Sequence, residues 1–174
     1  ARYALATRLG QLRDSDRENA MNTLRRNVLV VDDEEVVRRS CLRSLEGARC
    51  DVEAVPDGNE ALRAMERNAF DLVMLDLRLP GTDGMTVLRT IKERWPESEV
   101  VVMTGYPSIE SAKEAIRLGA CDYLEKPVGP DEIIKAASSA MLHKEWALRR
   151  GAPDQNHASP SNNFTRGERS CCAN

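Results

Sequence analysis

The feature that most constrains the fold is a repeated alternation between residues 27 and 150. Short apolar runs alternate with stretches whose apolar residues recur at helical spacing. All but the second run are too apolar for a strand with one wet face, which predicts a parallel sheet covered on both sides. The second run alternates polar and apolar residues, as an edge strand would. The five predicted strands are Val28–Val31, Asp51–Val55, Leu72–Leu75, Val100–Met103 and Asp122–Leu124.

Five amphipathic helices fit after these strands. Their apolar positions are Val37, Cys41 and Leu45; Ala61, Leu62 and Met65; Val87, Leu88 and Ile91; Ile109, Ala112 and Ile116; and Ile133, Ile134, Ala137 and Met141. We predict that Asn68, Pro96 and Gly119 end the second, third and fourth helices, that Ser108 caps the fourth, and that Pro130 begins the fifth. Five such units in succession predict a doubly wound α/β fold with right-handed crossovers.

The two ends of the chain differ from its middle. Residues 1–26 are highly charged with leucines at helical spacing, which predicts a partly helical extension that serves as a linker or is an expression remnant. Residues 151–174 are rich in Ser, Asn, Pro and Gly, which predicts a disordered tail. The folded domain is therefore predicted to span residues 27–150.

Composition excludes several classes of protein. The chain has 174 residues, 41% of them hydrophobic, and a net charge of -3, which suits one compact domain and does not indicate nucleic-acid or membrane binding. There is no signal peptide and no apolar run near the ~20 residues of a membrane-spanning helix, so we expect a cytoplasmic protein. Its five cysteines are irregularly spaced without a CxxC pair, which favours free thiols over a zinc site.

Polar residues follow four of the five apolar runs. Asp32 and Asp33 follow the first run, Asp76 the third, Thr104 the fourth and Lys126 the fifth. Ligands bind at the carboxyl ends of parallel strands, so we expect these side chains to converge. Taken singly, Asp33 could be a helix cap, Asp76 a turn residue, Thr104 a strand-end hydroxyl and Lys126 a solvated surface charge. Their shared position favours a site.

The chemistry of such a site follows from its charges. Two carboxylates 4 Å apart repel by roughly 4 kcal/mol at an effective dielectric constant near 20, and a divalent cation would offset that repulsion. Oxygen ligands favour Mg²⁺, which usually serves a phosphoryl group. Asp76 can act as a nucleophile toward phosphorus, Lys126 can neutralise phosphoryl oxygens, Thr104 can donate to the product phosphate, and Gly105 leaves room for a phosphodonor. The sequence therefore predicts phosphorylation of Asp76 itself.

A family resemblance rests on four segments in fixed order, "VLVVDDEE", "DLVMLDLRLPGTDGM", "VVVMTGYP" and "GACDYLEKP". From about Asn27 to Leu148 the chain resembles the receiver domain of bacterial two-component response regulators. The resemblance implies a flavodoxin-like or CheY-like five-stranded parallel sheet with strand order 2-1-3-4-5.

The resemblance also implies specific roles for the site residues. Asp76 would accept the phosphoryl group from a sensor histidine kinase or a histidine phosphotransfer protein. Mg²⁺, or Mn²⁺ in its place, would be held by Asp32, Asp33, Asp76 and the backbone carbonyl of Arg78. Lys126 would contact the phosphoryl group.

Other implied roles concern switching. Thr104 and Tyr123 would form the switch pair, and the Lys126–Pro127 peptide bond would be cis. Arg78 and Tyr106 would flank the site and tune the lifetime of the phosphate. The fourth helix, fifth strand and fifth helix would form the signalling face, which often mediates homodimers in the family.

Alternative functions make different demands on the same residues. A phosphatase of the haloacid dehalogenase type needs an acid two residues after its nucleophile, where this chain has Arg78. A flavodoxin-like cofactor binder needs a loop rich in Ser, Thr and Gly after the first strand, where this chain has four acids. A receiver-like interaction module that is never phosphorylated stays open, as does the choice between a stand-alone receiver and part of a longer protein.

The last helix has two uses open to it. Ile133, Ala137, Met141 and Leu148 could form a dimer seam or pack against the sheet, and we favour packing for the first half. Trp146 lies beyond that half and is the candidate interface residue.

Overall fold

A computed structural model describes residues 25–151, with side chains described as far as Trp146. The predictions for residues 1–24 and 152–174 lie outside this range. The strands are β1 (Arg26–Val31), β2 (Cys50–Val55), β3 (Leu72–Asp76), β4 (Glu99–Thr104) and β5 (Asp122–Glu125). The helices are α1 (Glu35–Glu46), α2 (Gly58–Arg67), α3 (Gly84–Arg94), α4 (Ile109–Arg117) and α5 (Pro130–Gly151). The first strand thus begins at Arg26, two residues earlier than the predicted start at Val28.

The five strands form one parallel sheet in the order β2-β1-β3-β4-β5. This arrangement confirms the predicted doubly wound α/β fold and its strand order. The middle strands β1, β3 and β4 are buried along almost their whole length, whereas β2 is partly exposed, as its alternating sequence predicts.

β5 is only partly covered, although Tyr123 packs against the core on one face of the sheet and Leu124 against the core on the other. None of its residues, Asp122–Glu125, is fully buried. β5 pairs only with β4 and lies at the edge of the sheet, so one side of its backbone has no neighbouring strand to cover it.

Alternating side chains of the sheet build two hydrophobic cores. Leu29 and Val31 of β1 pack in the core that α2, α3 and α4 cover. Val28 and Val30 point to the opposite face and pack with residues of α1 and α5. This period of two is what a strand covered on both faces requires.

Helix ends match several sequence signals. Ser108 and Ser111 form a reciprocal capping box at the start of α4, and Gly119 follows that helix with a φ of 98°. Asn68 is the residue that terminates α2. The alternative role of Asp33 as a helix cap is wrong, because the N-cap residue of α1 is Glu34. The Glu34 side chain makes no capping hydrogen bond.

The predicted apolar pattern of α4 does not describe a buried face. Ile109 and Ile116 are exposed at 69% and 53%, and Ala115 is the buried residue of the helix. α4 is short and covers the edge of the sheet, where small side chains allow close approach and leave the longer apolar side chains at the surface.

The first half of α5 packs on the sheet, as we favoured, with Ile133 and Ala137 buried. Three consecutive residues farther along the helix make polar contacts with the amino-terminal side of the sheet. His143 Nδ1 lies 2.9 Å from Glu99 Oε1, Lys144 Nζ lies 2.9 Å from Asp71 Oδ1, and Glu145 pairs with Arg26. Trp146 is 61% exposed, and the side chain of Leu148 lies outside the described residues.

Among helices in the described part of the chain, none is both long and apolar enough to cross a membrane.

Gly84 brings the start of α3 against the backbone of Asp76, which ends β3, and of Leu77, which follows it. A Cβ at Gly84 would lie 2.5 Å from the carbonyl oxygen of Asp76, closer than real contacts allow. We expect Gly84→Ala to lower the free energy of unfolding by about 2 kcal/mol, the usual cost of overpacking, in urea titrations.

Gly47 provides the matched control. It has a right-handed φ of -79°, and a Cβ there would meet nothing within 4 Å. Gly47→Ala is expected to be neutral or to stabilise by up to about 1 kcal/mol. Equal effects of the two substitutions would contradict the close approach at Gly84.

Candidate functional site

The carboxyl ends of four strands lie together at one end of the sheet. Asp32 and Asp33 directly follow β1, Asp76 and Thr104 end β3 and β4, and Lys126 follows β5. Asp32, Asp76 and Thr104 are buried, at 0%, 3% and 1% exposure, whereas Asp33 is exposed. The parallel topology therefore places all five predicted residues at the carboxyl end of the sheet.

Lys126 lies among the acidic residues. Its Nζ donates a hydrogen bond to Asp76 Oδ2 at 2.6 Å, and lies 2.7 Å from Asp32 Oδ2 and 3.2 Å from Glu34 Oε1. Only 9% of the lysine side chain is exposed. The alternative interpretation of Lys126 as a solvated surface charge is therefore wrong.

Burial and pairing act in opposite directions on these groups. Burial raises the pKa of Asp32, and the adjacent Lys126 ammonium opposes that shift. Burial alone would lower the pKa of Lys126, but its close contacts with the Asp32 and Asp76 carboxylates outweigh burial and raise the pKa. Lys126 therefore keeps its charge at neutral pH and offsets part of the carboxylate repulsion.

The acidic residues are close enough to share a metal ion. One carboxylate oxygen from each of Asp32, Asp33, Glu34 and Asp76 lies within 4.8 Å of the others. Within the described residues, the buried Asp32 Oδ2 accepts no hydrogen bond of good geometry, so its approach to Lys126 is an ion pair. An oxygen in that state can coordinate a cation, and the all-oxygen set fits Mg²⁺ or Mn²⁺.

Glu34 is a site residue that the sequence analysis missed. The only signal for it is its place as the third acid of "DDEE". Its backbone N–H donates to Asp32 Oδ1 at 3.0 Å, while its side chain reaches Lys126.

Arg78 meets the site through its backbone. Its N–H donates to Asp76 Oδ1 at 3.0 Å, so Asp76 does make the short-range bond of a turn residue while also facing Lys126. The role of the Arg78 carbonyl as a metal ligand stays a prediction.

Arg78 and Tyr106 meet above the strand ends. The Arg78 guanidinium carbon lies 5.2 Å from the centre of the Tyr106 ring, a cation–π distance. The backbone N–H of Tyr106 donates to Thr104 Oγ1 at 3.3 Å, so the threonine hydroxyl retains its own hydrogen to donate. The space beside Gly105 is open, since a Cβ there would meet nothing within 4 Å.

Tyr123 lies apart from the acids and contacts α4. Its hydroxyl lies 2.8 Å from Ser111 Oγ, within hydrogen-bond distance. Ser111 is also a partner in the capping box with Ser108, so the tyrosine is linked to the start of α4. Sequence reasoning did not find Ser111, because nothing in its spacing indicates a partner on β5.

The Lys126–Pro127 peptide bond, which directly follows β5, is cis.

A comparison with family models decides the family. The response regulator receiver domain model matches residues 28–138. The chain belongs to this family.

Relatives of this receiver domain are longer proteins. The DNA-binding transcriptional regulator NtrC of Klebsiella pneumoniae is 36% identical over 125 residues, which are 71% of this chain and 27% of NtrC. The response regulator MprA of a Mycobacterium species is 36% identical over 137 residues, 79% of this chain and 56% of MprA. The chain thus spans about a quarter of the length of the NtrC relatives it matches.

Solved structures agree with this assignment. The crystal structure of NtrX from Brucella abortus matches with a TM-score of 0.69 at 35% identity, covering 73% of this chain and 29% of NtrX. A CheY-like receiver domain protein from Methanospirillum hungatei matches with a TM-score of 0.68 at 27% identity, covering 72% of this chain and 99% of that protein.

A groove of about 400 Å³ lies beside Lys126 in this receiver domain, between the start of α1 and the loop from β5 to α5. Its rim includes Val36, an apolar side chain that is 79% exposed. Cys41, Cys50 and Cys121 are free cysteines, and burial raises the pKa of Cys41 to about 11 and of Cys121 to about 12, which keeps both as thiols at neutral pH.

The ion pairs of Lys126 predict a stability defect that metal can repair. Lys126→Met leaves buried Asp32 and Asp76 without their cation, so we expect a loss of about 3 kcal/mol in unfolding free energy in EDTA. Added Mg²⁺ is expected to restore more stability to this variant than to the parent, in paired urea titrations.

Lys144→Met is the control at the other end of the sheet. Lys144 pairs with Asp71 and is 13% exposed, so its loss is also expected to destabilise the protein. Mg²⁺ is not expected to restore that loss. A deficit of Lys126→Met that is the same in EDTA and in Mg²⁺ would show that the acidic residues do not bind the metal.

Proposed function

We propose that this receiver domain accepts a phosphoryl group on Asp76 from a histidine kinase or a histidine phosphotransfer protein. The reaction depends on Mg²⁺ or Mn²⁺ and takes place in the cytoplasm. The observation that carries the proposal is the placement of the nearly buried Asp76 carboxylate, hydrogen-bonded by Lys126 and within 4.8 Å of three further acids.

The chemistry assigned to Asp76 is nucleophilic. A carboxylate oxygen forms the new bond to phosphorus, the bond from phosphorus to the donor imidazole breaks, and the imidazole nitrogen keeps the electron pair and takes up a proton. Bound Mg²⁺ would supply Lewis-acid stabilisation of the phosphoryl oxygens, held by Asp32, Asp33, Glu34 and Asp76.

Lys126 supplies a second positive charge from the protein itself. Its ammonium already donates to Asp76 Oδ2, so it is in place to neutralise charge on the incoming group without crossing the site. Thr104 has a hydroxyl hydrogen to donate to a phosphate oxygen. The open space at Gly105 suits the approach of a donor.

We propose that the domain acts on no separate substrate and catalyses only its own phosphorylation and dephosphorylation. A haloacid dehalogenase-type phosphatase needs a general acid two residues after the nucleophile. That residue, Arg78, carries a guanidinium that stacks on Tyr106 instead.

Phosphorylation is proposed to change the surface formed by α4, β5 and α5. Thr104 would turn toward the phosphate and the ring of Tyr123 would turn inward, giving up its hydrogen bond to Ser111. The exposed Ile109 and Ile116 on α4 would give this surface an apolar area for an output partner or a second copy.

The intact mass of the protein tests the phosphorylation site. After incubation with acetyl phosphate and Mg²⁺, we expect the parent to gain one phosphate. Asp76→Ala is expected to gain none, because it lacks the proposed nucleophile. EDTA is expected to prevent the gain.

Asp83→Ala serves as the control. Asp83 is an exposed aspartate that caps α3, so its replacement is expected to leave the gain intact. No gain on the parent would identify the protein as a receiver-like interaction module that works without phosphorylation.

The contact between Arg78 and Tyr106 predicts an effect on phosphate lifetime. Cation–π contacts are worth about 0.5–1 kcal/mol, so their loss is expected to speed hydrolysis of the aspartyl phosphate about two- to fivefold if the pair shields it from water. The rate is measured by mass after donor removal, for Arg78→Ala and Tyr106→Ala. Arg94→Ala, which breaks a similar contact with Trp95 away from the site, is expected to match the parent. Unchanged rates in all three variants would remove this role.

A further inference from the structure

The helix that follows the acidic loop starts without its usual side-chain cap. Glu34 is the N-cap of α1, but its side chain makes no capping bond and lies 3.2 Å from Lys126 instead. Helix starts leave backbone groups in need of partners, and an N-cap side chain normally satisfies one of them. A side-chain cap from Glu34 therefore does not fix the loop of Asp32, Asp33 and Glu34 to the helix.

Arg38 reaches back from the first turn of α1 to that loop. Its Nη1 donates to the carbonyl oxygen of Asp32 at 2.7 Å and to that of Asp33 at 2.8 Å. One terminal nitrogen thus holds two consecutive peptide carbonyls. These belong to the two residues whose side chains enter the acidic group.

The loop has an internal bond that complements this grip. Glu34 N–H donates to Asp32 Oδ1 at 3.0 Å, which sets the direction of the Asp32 carboxylate. The backbone N–H of Asp32 bonds to the carbonyl of Val55 on β2, which holds the end of β1. The Arg38 side chain joins the carbonyls of Asp32 and Asp33 to the helix, beside the backbone bonds that Val37 and Arg38 make to the carbonyl of Glu34.

We infer that Arg38 is a positioning residue for the divalent cation, because it fixes the backbone from which Asp32 and Asp33 extend their carboxylates. The inference rests on the proposed function, which supplies the cation, and it assigns Arg38 no contact with the reacting atoms. Removing Arg38 allows the two acidic residues more conformations, only some of which bring their oxygens within reach of Asp76.

Charge alone would act with the opposite sign. A guanidinium beside the acids repels a divalent cation, so a residue that acted only through its charge would bind metal more tightly once removed. A positioning role requires weaker binding after removal. The direction of the change therefore separates the two explanations.

Calorimetric titration of the metal-free protein with Mg²⁺ alone tests the inference. Arg38→Met removes both hydrogen bonds, and we expect the Kd for Mg²⁺ to rise about tenfold, the scale of residues that orient metal ligands. Arg38→Lys keeps a cation with several donors and is expected to recover most of the affinity. Arg39→Met is the matched control, since Arg39 pairs with Glu35 on the exposed side of the same helix.

Two further measurements exclude a general loss of structure. Amide exchange of Glu34 in the metal-free protein is expected to be faster in Arg38→Met than in Arg39→Met. The rate of phosphorylation by acetyl phosphate at saturating Mg²⁺ is expected to match the parent, with the defect confined to the Mg²⁺ concentration needed for half the maximal rate. Should Arg38→Met fail to fold, Arg38→Gln, too short to hold both carbonyls, is judged by the same criteria.

Each result decides the matter. Unchanged or tighter Mg²⁺ binding in the folded variant, with the parent binding normally, would overturn the role of Arg38 and leave the proposed function intact. Failure of the parent itself to bind Mg²⁺ or to accept phosphate would overturn the proposed function. Equal losses in Arg38→Met and Arg39→Met would show a general effect of helix charge and would also overturn the inference.

Discussion

The ion pairs of Lys126 with Asp32 and Asp76 are the constraint on which the site depends. The carboxyl ends of parallel strands lie together at one end of the sheet, and here two neighbouring strand ends, those of β1 and β3, carry three carboxylates. Carboxylates 4 Å apart repel by roughly 4 kcal/mol per pair at an effective dielectric constant near 20, enough to oppose closure of that end. The Lys126 ammonium comes from the loop after β5, which lies three strands away from β1 in the sheet. The long lysine side chain reaches back across the strand ends and contacts both Asp76 and Asp32.

The sequence predicts the fold well because its signals are local. Each buried strand appears as an apolar run, and the residue that ends the run is the one that faces the site. Asp76 and Lys126 are found in this way without knowing how the strands are ordered. Side-chain contacts between elements are different. Glu34 reaches Lys126 and Tyr123 reaches Ser111 only because the fold brings them near, and neither spacing nor composition records those distances.

The exposure of α4 shows the same limit from the other side. Ile109 and Ile116 have the spacing of a buried helical face, yet both are at the surface. Periodicity reports which residues share a face and not whether another element covers it. Similarly, the apolar run at β5 predicts a covered strand, while its place at the edge of the sheet leaves it partly exposed. What the sequence lacks in both cases is the position of the element within the sheet.

The hydrogen-bond contact between Tyr123 and Ser111 sets an energy scale for the proposed switch. Turning the tyrosine inward costs one neutral hydrogen bond, about 1 kcal/mol net, and also takes one partner from the α4 capping box. A hydrogen bond from Thr104 to a charged phosphate contributes about 1.5–3 kcal/mol. These values are of similar size and opposite sign, which is the condition for two conformations whose balance a single charge can reverse. A tyrosine held by stronger contacts would stay in place after phosphorylation, and one with no partner would move without it.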